Sequence, residues 1–178
     1  MKRYAVATIG LAVLLATPLL AQAPAPASAP SVPDAIRQQY NGVKNNLLKA
    51  ADKMPEDGYD FKPTPEQRSF GGWVAHVADA QTAGCSRALG TPKTPSAGSK
   101  TTKADLVAAL KDSFDTCDAA YAALTDANAN DSIQTYRGPT PRLAALVGNI
   151  EHDTECYGSM AVYLRLKGIV PPSSEPRK

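Results

Sequence analysis

The chain is short of histidine, of cysteine and of net charge. Histidine occurs twice, at His76 and His152, and cysteine three times. The 19 Lys and Arg residues nearly cancel the 17 Asp and Glu residues. So balanced a chain has no electrostatic footprint for nucleic acid or for an acidic membrane surface. There is no P-loop, no G-x-G-x-x-G, no C-x-x-C and no internal repeat. Two histidines leave room for a Ser-His-Asp triad, yet no G-x-S-x-G elbow presents a nucleophile. A long apolar run is also missing. The run from Ala5 to Leu20 falls short of the roughly 20 residues that a membrane span needs.

That run reads instead as part of a secretory signal peptide over residues 1–23. Lys2 and Arg3 precede it and small residues end it at Ala23. Pro24 is a poor residue to follow a cut, so cleavage falls between residues 23 and 27. The expected location is periplasmic or extracellular, with no stable membrane anchor. The first cysteine is Cys85, so none near the cut is available for a lipid. Losing Lys2 and Arg3 leaves 17 basic against 17 acidic residues, a formal charge of zero. Residues 24–32, rich in Pro and Ala, form a tether with little to bury. The folded domain is expected over 33–170, with a C-terminal tail over 171–178.

What is present is helical periodicity, and no strand is expected. Helix one is expected over Pro33–Lys53, with Ile36, Tyr40, Val43, Leu47, Ala51 and Met54 at steps of three and four. Ser69 caps helix two, whose stripe is Phe70, Val74, Val77, Gln81, Cys85 and Ala88, with Gly90 as the stop. Thr102 caps helix three, striped by Leu106, Leu110, Phe114, Cys117, Tyr121 and Leu124. Helix four is expected to open at Thr140 and Pro141 and to close at Gly168. Its stripe is Leu143, Leu146, Val147, Ile150, Thr154, Tyr157, Ala161 and Leu164. Four one-stripe helices pack as an all-α four-helix bundle. The connection from Leu89 to Thr101 is long enough for a crossover between two parallel helices.

Chemistry concentrates in "IEHDTECYG", Ile150 to Gly158. His152 and Cys156 stand one helical turn apart and so share a face. At about 100° per residue that face lies opposite the apolar stripe, beside Ala145, Gly148, Ser159 and Tyr163. His76 lies off the helix-two stripe beside Gly72, Ala80 and Ala83. Small neighbours around both histidines point to a cleft or a close neighbour. Imidazole nitrogen and thiolate sulfur suit zinc, nickel, cobalt and copper. His76, His152 and Cys156 are therefore candidate metal ligands that leave a fourth position open. The bland alternative is two unrelated surface histidines. Cys85 and Cys117 both sit near apolar stripes and are candidates for a disulfide, leaving Cys156 as the odd thiol. Three separate buried thiols are the alternative.

These pieces resemble the DinB-like (DNA-damage-inducible protein B-like) metal-binding bundles. The matching stretches are "FGGWVAHVAD" and "RLAALVGNIEHDTECYG". The resemblance covers roughly Pro33 to Gly168 and implies a four-helix bundle with a long crossover. It implies zinc or nickel on one histidine of the second helix and an H-x-x-x-H pair of the fourth. His76 and His152 match two of those ligands, and Cys156 stands where the family pattern has the third histidine. The site then either survives with a more zinc-selective character, or has lost its metal, or holds a redox-active thiol.

The resemblance also implies metal-dependent hydrolases or thiol transferases acting on a small molecule. Glu155 and Asp153 are expected as solvated flank charges, able at most to orient a ligand or move a proton. A non-catalytic metal-binding or stress-related bundle with a degenerate site is the alternative. Arg137 and Arg142 in "RGPTPR" suit a loop and helix start, or steering of an anion. The small-residue face of helix four allows a homodimer.

Overall fold

The computed structural model describes residues 29–176. The expected signal peptide and most of the expected tether lie outside the described residues. Four helices carry the fold: α1 (Val32–Lys53), α2 (Phe70–Ala88), α3 (Lys103–Ala122) and α4 (Arg142–Leu166). Three of them start on a capping side chain, because the first backbone N–H groups of a helix have no partner within it. Ser31 Oγ accepts from Asp34 N, Ser69 Oγ from Gly72 N, and Thr102 Oγ1 from Asp105 N. Gly90 and Gly168 take φ of 75° and 73° just past α2 and α4, where a side chain would be strained. None of the helices among the described residues is long and apolar enough to cross a membrane.

Side-chain contacts fix the helix directions. Gly71 lies against Leu106, and Cys85 is bonded to Cys117, so α2 and α3 run parallel. The crossover that this demands is the 89–101 connection, held down by Asp79, which accepts from Ala97 N at 2.7 Å and Gly98 N at 3.0 Å. Arg37 of α1 reaches the Leu124 carbonyl beyond the end of α3, while Lys103 at the start of α3 reaches that of Met54. Those two helices are antiparallel. Tyr163 with Arg68, and Arg142 with Ala88, make α2 and α4 antiparallel too. The bundle is thus up-down-down-up, and each of α1 and α4 packs against two neighbours.

The expected stripes of α2 and α3 are all buried, as are Tyr40, Val43, Leu47, Ala51 and Met54 of α1. The core holds aromatic contacts at both ends, with Tyr59 on Phe70 at one of them. Tyr40 stacks on Tyr121 with centroids 3.9 Å apart, and their hydroxyls donate to Asp118 and to the Leu146 carbonyl.

Two expectations need correction. First, the α3–α4 connection contains an antiparallel hairpin, β1 (Ser132–Thr135) and β2 (Gly138–Pro141). Its turn residues Tyr136 and Arg137 keep negative φ, and Gly138 takes φ of 100°. Ile133 plugs the hairpin into the core at 8 % exposure. Second, α4 opens at Arg142 and not at Thr140, because Thr140 and Pro141 belong to β2. Beyond α4 the chain folds back. Pro171 and Pro172 are buried, Tyr157 OH donates to Ser173 Oγ, and Lys53 pairs with Glu175 at 2.5 Å.

Candidate metal centre

α2 and α4 cross where each carries one histidine. His76 Nε2 and His152 Nε2 stand 3.0 Å apart, with ring centroids separated by 5.0 Å. Cys156 Sγ lies 3.6 Å from His152 Nε2, one turn further along α4. One ligand atom from each of His76, His152 and Cys156 falls within 4.8 Å of the others. The three residues expected as ligands are thus brought together. Four-coordinate zinc with nitrogens at about 2.0–2.1 Å and sulfur at about 2.3 Å spaces its donors roughly 3.3–3.7 Å apart. The 3.0 Å and 3.6 Å spacings about His152 lie within tenths of an ångström of those values, and the third pair closes within 4.8 Å, so the donor types and their convergence fit such an ion.

The helix-wheel expectation placed His152 and Cys156 away from the core, and Asp153 in solvent. Here the structure differs. Asp153 is 0 % exposed and Cys156 2 %, whereas Thr154, expected on the stripe, is exposed. The buried arc of α4 runs through Leu146, Ile150, Asp153, Tyr157, Met160 and Leu164. It is turned towards α2, where Asp153 meets Gln81. Glu155 is exposed, as expected.

Asp153 holds the centre from behind. Its Oδ2 accepts from Gln81 Nε2, a residue of the α2 core stripe. Its Oδ1 is buried without a hydrogen bond and lies 3.5 Å from His152 Nδ1. A carboxylate on that side favours the proton on Nδ1 and frees the Nε2 lone pair to face His76 and Cys156. That is the tautomer that metal ligation requires. In the metal-free chain the same contacts hold a proton. The neighbouring Asp153 carboxylate, and then Cys156, push His152 up to about 10. His76 is lowered, first by burial and then by Arg68 and by His152. Burial outweighs its partners at Asp153 and pushes that carboxyl up to about 6. His152 therefore carries the proton and His76 accepts, across the gap an ion would bridge.

The remaining predicted residues fall elsewhere. Cys85 and Cys117 form a disulfide with Cα atoms 4.9 Å apart, which leaves Cys156 free and buried. Arg142 is tied to the Ala88 carbonyl and Arg137 lies over the Tyr136 ring on the hairpin, so both serve the scaffold. On the open side of His76 lies a cleft of about 440 Å³ whose walls include Lys62, Arg68, Ser69, Gly72 and Asp79. Sequence reasoning did not single out Lys62, Arg68 or the Gln81–Asp153 pair. A glutamine inside an apolar stripe was the available signal for that pair, since a buried amide demands a partner.

A sequence profile of the DinB superfamily matches residues 39–158. No curated protein matches the chain in sequence. Solved structures that share the fold include the following three. A DinB-like protein from Bacillus cereus superposes with a TM-score of 0.69 at 16 % identity, covering 78 % of this chain and 95 % of its own. A DinB-like protein from Bacillus subtilis gives 0.64 at 22 % identity, covering 81 % and 99 %. A candidate DinB family member from Exiguobacterium sibiricum gives 0.60 at 18 % identity, covering 79 % and 95 %.

Proposed function

The chain belongs to the DinB superfamily, and from that premise we propose that it is an exported bundle binding one divalent ion, zinc or nickel, on His76, His152 and Cys156. The observation that carries this reading is the convergence of three donor atoms from α2 and α4 within 4.8 Å. Asp153 behind His152 supports it, since ligating histidines usually give their second nitrogen to a carboxylate. When bound, the ion supplies Lewis acidity towards a water or a thiol, the chemistry of a hydrolase or thiol transferase. Export is supported by the basic-then-apolar start of the sequence and by the disulfide, which suits an oxidising compartment.

A second reading, a non-catalytic metal-holding bundle, is favoured by one observation. The nearest carboxylate, Asp153, is fully buried and committed to Gln81 and His152. It is not available to move a proton for a substrate.

The test is elemental analysis of protein purified without chelator. The expected result is about one equivalent of zinc or nickel, lost in His152→Ala. No metal as purified, and none taken up on titration, would rule out both readings. Metal without turnover of thiol or ester substrates would select the second.

A further inference from the structure

The cleft beside His76 carries an excess of positive charge that the fold does not use. Lys62 and Arg68 both line it. Among the described residues neither has a carboxylate partner. The one acid in the same walls, Asp79, spends both oxygens on the Ala97 and Gly98 amides of the crossover. Arg68 is also held in place. Its carbonyl accepts from Tyr163 OH at 2.7 Å, and its guanidinium lies 5.0 Å from the Trp73 ring centre. Trp73 in turn meets His76 edge to face at 6.0 Å. A guanidinium resting on an indole keeps its N–H edge free, and that edge matches two oxygens of one anion.

We propose that Arg68 and Lys62 form an anion subsite beside the triad, taking the carboxylate or phosphate of a small organic molecule whose neighbouring group then meets the triad at His76, the one of its three residues that lines the cleft. The subsite rests on the metal reading for the reacting end of that molecule, but not for capture of its anionic end. It narrows the ligand class to oxyanions and sets neutral molecules aside.

Trp73 is the only tryptophan, so its fluorescence reports on this cleft. Full-length protein is titrated with succinate, glycerol phosphate and neutral succinamide, both zinc-loaded and chelator-stripped. A saturable response to at least one oxyanion, none to succinamide, and affinity weakened about tenfold or more in Arg68→Gln is expected. Lys62→Gln should weaken it less, because Lys acts as a point charge. Whichever oxyanion binds more tightly assigns the source. No saturable response, an equal response to succinamide, or an unchanged affinity in the doubly substituted protein would overturn the subsite. Oxyanion binding in a protein that takes up no zinc would leave the subsite standing and remove the metal reading. Zinc uptake without oxyanion binding would do the reverse.

Discussion

Asp153 is the residue on which the centre turns, although it offers nothing to the ion directly. Removing its carboxylate leaves His152 Nδ1 and the Gln81 amide without their buried acceptor. Asp153→Ala is therefore expected to weaken zinc binding by about 10–100-fold in competition with a chromogenic chelator. Asp153→Asn, which keeps an acceptor oxygen, should recover part of that loss. Equal zinc affinity in wild type and Asp153→Ala would show that the carboxylate serves packing alone. Cys156→Ser is nearly the same size, so the fold should persist, but a hydroxyl is a poor ligand for soft metals. In cobalt-substituted protein the sulfur charge-transfer absorption should vanish in this variant; if it remains, Cys156 is not a ligand. The convergence of His76, His152 and Cys156 was legible from residue type and spacing. The support was not, because an acid next to a ligand on a helix reads as surface until the glutamine opposite it is placed.

At the scale of elements, the caps at Ser69 and Thr102 and the stops at Gly90 and Gly168 were legible. Each is a local rule with one dominant residue choice. The hairpin was not. Its strands hold two prolines and a single core residue, Ile133, and its turn lacks the Asn-Gly signal. Only the docking of Ile133 on the bundle makes it a strand pair. The Cys85–Cys117 bond staples the two parallel helices across the crossover, closing a sequence separation of 32 residues. A loop of that size corresponds to about 2–4 kcal/mol of stabilisation. Cys85→Ser/Cys117→Ser should lower the urea midpoint accordingly and steepen the slope, because the uncrosslinked denatured chain exposes more surface. A midpoint within error of wild type would mean that the packing of α2 on α3 already supplies the constraint.

For the molecule as a whole, the order of helices followed from stripes and loop lengths. The inward turn of α4 followed only from the assembled bundle, where the Gln81 amide of α2 gives Asp153 a buried partner. The same assembly sets its response to alkali. Tyr40, Tyr59 and Tyr121 are nearly inaccessible; Tyr40 and Tyr121 share one stacked contact, and Tyr59 packs on Phe70. Burial raises all three phenols well above the ordinary value of 10; Asp118 adds to the effect at Tyr40, and Asp153 at Tyr121. A group whose folded value is raised favours its protonated form in the native state. The native state therefore keeps this contribution below about pH 10 and loses it progressively as pH rises beyond that point. The three phenols should not ionise one by one in the intact bundle. They should ionise together, in a step that coincides with loss of helical circular dichroism above pH 10. Phenylalanine at Tyr40 should remove one phenolate from that step's ultraviolet amplitude. If these phenols titrate while the helical signal is intact, their parts of the core open without the rest, and the bundle is not one cooperative unit.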